Sequence, residues 1–178
     1  PGVPVAALCA DADQAMALSR RRDILVGAAD LYRVNHNDKQ AAALYDEVIA
    51  ADIASGHPDW RVLFARASAR NGLGDWKGAE ADLLAALAVE PDRPEVQNFL
   101  GYGWVNRGEK VKEGMDLIQK AVDARPDQGY IVDSLGWAHY AIGEYLQAVE
   151  ILGRAAELSP SDPEIVDHLG DAYWRTGR

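Results

Sequence analysis

Small and large residues recur along this chain in one arrangement about every 34 residues, and residues 129–162 show that arrangement most completely. Val132, Leu135 and Gly136 lie three or four positions apart in the first half of this stretch, so a helix would place them on one face. The missing side chain at Gly136 would let a second helix approach closely. Because one helix pair of this kind cannot bury its own apolar faces, the pattern predicts a stack of such pairs.

The second half of the same stretch predicts the partner helix, which would begin after Gly143. Its seam, the row of residues that would pack against the first helix, is formed by the small residues Ala148 and Ala155 with the larger Leu152 between them. Pro160 follows just past the predicted end, where a helix cannot easily continue. Each repeat should therefore be one antiparallel helix pair.

These positions resemble the tetratricopeptide repeat (TPR) family, and the resemblance covers residues 22–178. It implies an all-α fold, a solenoid of antiparallel helix pairs that forms a right-handed superhelix with a concave groove. We expect residues 1–21 to form a lead-in and a helix. The repeats are expected at residues 22–59, 60–93, 94–128, 129–162 and 163–178, of which the first is degenerate and the last has only its first helix.

Two repeats depart from the regular length. Between Ala41 and Pro58 the first repeat holds about five residues more than the template, which predicts a longer second helix or a wider loop at residues 55–57. The third repeat has one extra residue within 109–112, and Gly114 replaces the usual alanine. A loosened turn or helix start is expected there, because glycine is a poor helix former.

The two ends of the chain lead to separate expectations. Residues 1–10 contain two prolines and are expected to form a tail, after which Asp11 or Asp13 would cap the first helix. The helix predicted after Pro163 lacks a partner helix before Arg178. We therefore expect the sequence to be a fragment of a protein that continues with at least that helix.

Composition narrows the kinds of partner. The formal net charge of −10 argues against nucleic acid, whose phosphates require a basic surface, and favours basic or neutral polypeptides. No run approaches the roughly 18 apolar residues of a membrane span. The single cysteine, Cys9, cannot form an internal disulfide. The preceding Ala-Ala-Leu resembles a lipidation site, but an ordinary buried or idle cysteine is the preferred interpretation.

Sequence motifs for catalysis are missing. The chain has no phosphate-binding glycine loop, no Cys-x-x-Cys, no His-Glu-x-x-His and no Gly-x-Ser-x-Gly, so we predict neither an enzyme nor a cofactor. Asp167 and Asp171 would share one side of a helix, but His168 would point about 100° away from Asp167. Zinc sites need three or four converging ligands, so a polar groove wall is preferred to a metal site.

The resemblance also implies that the first helix of each repeat lines the groove. The helical phase sets three aromatic residues off the Leu-Gly seam, so they should be open to a partner: Tyr102, Trp137 and Tyr140. Three others fit the core: Trp76, Trp104 and Tyr145. Asn and Asp side chains of the groove could bind an extended backbone or a Lys or Arg. Transferred by alignment, the predicted partner-binding residues are Phe64, Asn98, Tyr102, Asn106, Tyr130, Asp133, Trp137, Tyr140, Asp167, Asp171 and Trp174.

These observations predict a protein-binding scaffold or adaptor. Its partner would be a polypeptide with apolar anchors and basic residues; the lysine set that clamps a terminal carboxylate in chaperone-binding TPR domains is absent. An oligomerising module and the non-catalytic part of a larger enzyme are the alternatives.

A narrower resemblance concerns the runs Asn98–Tyr102, Tyr130–Trp137 and Asp167–Trp174, which are similar to a subgroup of bacterial TPR proteins. Many members of that subgroup are exported or lipid-anchored, and some deliver substrates to periplasmic carboxyl-terminal processing proteases. The resemblance therefore implies a periplasmic or outer-membrane-anchored adaptor, with the cytoplasm as the alternative.

Overall fold

The structure, a computed structural model, describes residues 5–177, and the regular elements within those residues are ten α-helices. Short turns join them, and the predicted all-α fold of helix pairs is confirmed. Each of the four complete repeat intervals contains two helices. The helices are α1 Val5–Leu18, α2 Arg22–Val34, α3 Asp38–Ala54, α4 Trp60–Gly72, α5 Trp76–Val89, α6 Pro94–Asn106, α7 Val111–Ala124, α8 Gly129–Ala141, α9 Tyr145–Leu158 and α10 Pro163–Thr176.

The chain forms two compact units that divide between Pro91 and Asp92. In the first unit α2 packs on α3 and α4 on α5, with α1 against α2. In the second unit α6 packs on α7, α8 on α9, and α10 against both α9 and α8. The division of the sequence into residues 1–21 and a repeat array at 22–178 stays a prediction. Among residues 5–177, no helix is both long enough and apolar enough to cross a membrane.

The first helix starts earlier than predicted. It begins at Val5, so neither Asp11 nor Asp13 caps it, and the expected tail is wrong for residues 5–10; residues 1–4 lie outside the described part. The alanine-rich composition explains the early start, because alanine is the best helix former. Asp13 instead accepts a hydrogen bond of 2.6 Å from the hydroxyl of Tyr32, which ties α1 to α2.

Both departures from the regular repeat length have a structural counterpart. In the first repeat α3 has 17 residues against 14 in α5, so the longer second helix absorbs most of the extra length. In the third repeat the extra residue widens the turn between α6 and α7, where Lys110 takes up a left-handed conformation with φ 43°.

The other alternative, a loosened helix start at Gly114, is wrong. Helix α7 is regular from Val111 onward, and Gly114 lies inside it at the point where α7 crosses α6. A Cβ atom at Gly114 would lie 2.8 Å from the carbonyl oxygen of Gly101, and one at Gly101 would lie 2.5 Å from the carbonyl oxygen of Gly114. Two glycines therefore allow the two backbones to touch, which an alanine at either position would prevent.

The predicted seam of the fourth repeat is confirmed. Ala148, Leu152 and Ala155 are fully buried on α9. A Cβ atom at Gly136 would lie 2.6 Å from Cγ of Leu152 and 3.1 Å from its backbone nitrogen. At the equivalent Gly170 of α10, by contrast, no described atom lies within 4 Å of such a Cβ.

The difference in packing between Gly136 and Gly170 predicts that substitution by leucine has opposite effects at the two positions. Gly136→Leu should lower the free energy of unfolding by about 1–3 kcal/mol, because the added side chain overpacks the crossing of α8 and α9. Gly170→Leu, the matched control, should be neutral or raise it by up to about 1 kcal/mol through helix propensity. Urea denaturation followed by circular dichroism measures both. A Gly136→Leu protein with an unchanged or higher midpoint would contradict the packing at this crossing.

The apolar core of the second unit continues between the repeats. Ile118 and Ala121 of α7, Ile131 of α8 and Ile165 of α10 are among its buried members. Trp104 on α6 is 6% exposed and Trp76 in the first unit 8%, so both belong to the core as predicted. Tyr145 is only partly buried.

A buried ion-pair cluster ties α5 to α4 and α3 in the first unit, and the repeat pattern did not predict it. Asp82 on α5 is 3% exposed. Its Oδ2 atom accepts hydrogen bonds of 2.8 Å from Nε of Arg66 and 3.0 Å from Nη1 of Arg70. The more exposed Asp46 on α3 also contacts both guanidinium groups. The cluster therefore holds three successive helices through one buried carboxylate.

Candidate functional site

Most of the predicted partner-binding residues lie on the first helices of the second unit, where α6 packs against α8 and α8 against α10. Phe64 lies on α4 in the first unit, where it is partly buried. We use the name α6–α8–α10 face for the predicted residues there that remain at least partly exposed, which are Tyr102, Asn106, Tyr130, Trp137, Tyr140, Asp167, Asp171 and Trp174.

Trp137 is the centre of an aromatic cluster rather than an isolated anchor. Its indole stacks on Tyr140 with ring centroids 4.7 Å apart, and on His168 of α10 with centroids 4.1 Å apart and an interplanar angle of 19°. Its Nε1 atom donates to the side-chain oxygen of Asn106 on α6 at 3.4 Å. Trp137 on α8 is therefore only partly exposed and contacts both α6 and α10. These contacts correct the expectation of a ring free of packing.

Asp133 and Asn98 are not open to a partner, contrary to expectation. Asp133 is 5% exposed and Asn98 7%. The helical phase that places Asp133 off the seam of its own repeat also turns it toward the next first helix, where His168 covers it. The side-chain oxygen of Asn98 has no hydrogen-bond partner among the described residues. Both residues therefore lie beneath the exposed surface of these helices.

The carboxylate of Asp133 is used inside the unit. Nδ1 of His168 lies 2.9 Å and 3.0 Å from its two oxygens, close enough to donate a hydrogen bond. Burial alone would lower the pKa of His168, but the hydrogen bond and charge of Asp133, with Glu164 and Asp171 nearby, raise the pKa above its usual value. His168 and Asp133 are therefore hydrogen-bonded between α8 and α10, and they form an ion pair when the imidazole is protonated.

Sequence reasoning missed this role of His168. The spacing places His168 beside Asp167 on α10 and predicts a polar groove wall rather than a metal site. The partner carboxylate lies one repeat earlier, and helical spacing within α10 carries no information about it. Among residues 5–177, no three His, Cys, Asp or Glu side chains are grouped to hold a metal ion.

The acidic side of α10 faces solvent. Asp167, Asp171 and Trp174 follow at steps of four and three residues and therefore share one side of the helix. Trp174 is 83% exposed, and both carboxylates are exposed and form no ion pair with another described residue. Arg175 instead donates from Nε to the hydroxyl of Tyr140 at 3.2 Å. This side can therefore attract a cationic group without first breaking an internal ion pair.

The aromatic residues at the other edge of the face differ in exposure. Tyr130, at the start of α8, is 47% exposed. Tyr102 on α6 is partly buried, and burial together with the charges of Glu164 and Asp133 raises its pKa. The face therefore combines partly open aromatic rings with exposed carboxylates, a combination suited to hydrogen bonding and apolar contact.

Comparison with known protein families agrees with the geometry. The sequence profile described as tetratricopeptide repeat matches residues 64–129 and 134–178, which together are more than half of the chain. The chain therefore belongs to the tetratricopeptide repeat family. Repeats of this family bind proteins or peptides and typically act as scaffolds without catalysis.

A curated relative and two solved structures are similar to this chain. A TPR repeat-containing protein of Pseudomonas aeruginosa is 32% identical over 122 residues, which are 68% of this chain and only 20% of that protein. A solved chain of MamA from Desulfovibrio magneticus RS-1, from residue 41 to the end, has a TM-score of 0.74 at 17% identity, over 89% of this chain and 87% of that chain. MamA of strain AMB-1 has a TM-score of 0.67 at 23% identity, over 89% and 84%. At these identities the MamA structures establish the fold alone.

Proposed function

We propose that this chain is a scaffold or adaptor that binds a polypeptide segment on the α6–α8–α10 face. One observation carries the proposal: the carboxylates of Asp167 and Asp171 are exposed without an ion-pair partner, one helix away from the aromatic cluster of Trp137 and Tyr140. A segment with apolar anchors and a nearby Lys or Arg fits this combination, because buried aromatic side chains contribute most of an interface's energy and complementary charge directs its approach.

A narrower part of the proposal concerns the cellular role. The runs Asn98–Tyr102, Tyr130–Trp137 and Asp167–Trp174 resemble exported or lipid-anchored bacterial TPR adaptors, which supports delivery of substrates to a periplasmic protease. The chain spans about a fifth of the length of its Pseudomonas aeruginosa relative. The greater length of that relative supports a second candidate function, in which the repeats are the non-catalytic part of a larger protein.

Site-specific photocrosslinking tests the proposed face. A benzophenone amino acid at Tyr130, which is 47% exposed on α8, should crosslink to a polypeptide partner in cells of the native organism. The same amino acid at Leu146, which is 70% exposed on α9, is the control and should not. Mass spectrometry of the products identifies the partner. Equal crosslinking from both positions, or crosslinking from Leu146 alone, would move the binding surface away from this face.

The acidic residues should act mainly on the rate of association. The double substitution Asp167→Asn and Asp171→Asn should slow binding of the crosslinked partner several-fold and flatten its salt dependence, because exposed charges steer encounter and are screened by salt. Glu150→Gln with Glu157→Gln on α9 removes the same charge from exposed positions outside the face and is the matched control. Stopped-flow fluorescence at two salt concentrations measures both. Equal slowing by the two double variants would mean that net charge alone is responsible.

A further inference from the structure

Four side chains join α8 to α10 at one place in the second unit. Asp133, Trp137 and Tyr140 lie on α8, and His168 lies on α10. His168 contributes two of the contacts, a hydrogen bond to Asp133 at 2.9 Å and a ring stack on Trp137 with centroids 4.1 Å apart. A change at this one imidazole therefore affects both the polar and the aromatic contact between the helices.

The charged groups that influence the pKa of this imidazole are all carboxylates. Asp133 faces it from α8, while Glu164 and Asp171 lie one turn before and after it on α10. Tyr102 on α6 lies close enough to Asp133 and Glu164 to experience both charges. Among the described residues, α9 contributes no charge to this set.

Because Asp133 is buried, its contact with α10 depends on the protonation of His168. A carboxylate that is 5% exposed is strongly destabilised unless it is paired and hydrogen-bonded. Among the described residues, the hydrogen bonds to its side-chain oxygens come from His168. A neutral imidazole can still donate its Nδ1 proton, but only the imidazolium also balances the buried charge.

We propose that His168 is a proton-dependent latch between α8 and α10: its imidazolium pairs with Asp133 and holds α10 in place, and release of the proton loosens α10. The latch does not require a partner, so it stands apart from the proposed binding function. Loosening would also change the surroundings of Trp137, which lies on the α6–α8–α10 face.

The direction of the pH dependence follows from linkage. The pKa of His168 is raised in the folded protein, with burial opposing and Asp133 favouring the charged form. The stabilisation by the latch is therefore fully present below the ordinary histidine pKa of about 6.5. It is lost as the pH rises through the higher folded-state pKa. The latch should hold below the ordinary histidine pKa and release above the raised folded-state pKa.

Hydrogen exchange tests the latch in the complete chain. Protection factors for amides of α10, corrected for the intrinsic pH dependence of exchange, should fall as the pH rises from the ordinary histidine pKa of about 6.5 through the raised folded-state pKa, by up to tenfold for each pH unit between the two values. His168→Gln should keep α10 at low protection across this range. His168→Arg should keep it at high protection, because arginine stays charged. His57→Gln, at an exposed histidine between α3 and α4, should behave as the wild type.

Two results of the hydrogen-exchange experiment would overturn the proposal. One is a pH dependence of α10 protection that survives in His168→Gln, and the other is a wild-type protein whose α10 protection does not change with pH. If His168→Gln does not fold, the wild type still decides, because the imidazole resonances of His168 report its pKa by NMR. A pKa at or below the ordinary histidine value would exclude the latch.

Discussion

Trp137→Ala should weaken binding of the polypeptide partner by about 2–4 kcal/mol, because aromatic side chains near the centre of an interface carry most of its energy. The structure adds a second effect. The indole stacks on Tyr140 and His168, so its removal should also lower the free energy of unfolding by about 3 kcal/mol. Titration calorimetry with the partner and urea denaturation measure the two effects separately.

The matched control for Trp137→Ala is Trp76→Ala. Trp76 is 8% exposed on α5 in the first unit, so its removal should destabilise the protein without touching the α6–α8–α10 face. At a temperature where both variants remain folded, only Trp137→Ala should lose affinity. If a folded Trp137→Ala protein binds as tightly as the wild type, the partner does not dock on this face.

Asp82→Ala should have the largest effect on stability, about 3–5 kcal/mol. Among the described residues, removal of this buried carboxylate leaves Asp46, which is far more exposed, as the ion-pair partner of Arg66 and Arg70. The expected loss reflects uncompensated buried charge more than lost attraction. Asp116→Ala on the exposed side of α7 is the control and should stay within about 0.5 kcal/mol of the wild type.

A triple variant separates the two physical causes at this cluster. If uncompensated charge causes the loss, replacing Asp82, Arg66 and Arg70 together with leucine or methionine should recover much of the stability, because well-packed apolar groups often replace a buried ion pair without loss. A triple variant as unstable as Asp82→Ala would instead show that the hydrogen bonds or the shape of the cluster are essential. Urea denaturation of the single and triple variants decides between these causes.

The helix pairs could be predicted because their signal is local. The spacing of Gly136 within one helix, and of Ala148 and Leu152 within the next, depends on a period of about 3.6 residues that any helix imposes. The same spacing correctly assigned Trp76 and Trp104 to the core. The start of α1 was missed because the acidic residues suggested a cap, whereas the helix propensity of the preceding alanines extended the helix to Val5.

The candidate site was predictable only in outline. Helical phase correctly indicated that Asp167 and Asp171 are exposed. It could not show that the next first helix covers Asp133, because that contact depends on the distance between successive repeats. The proposed partner-binding role of the remaining residues stays a prediction, which the variants described above test.

The sequence by itself determined the repeat architecture of this protein, because regular spacings of small and large residues specify which helix faces can pack together. Only the tertiary structure decided which polar groups meet. Asp82 pairs with Arg66 and Arg70 across helices, and His168 pairs with Asp133 across repeats. The physical reason is that an ion pair forms wherever burial brings opposite charges within a few ångströms, and the repeat period does not encode that distance.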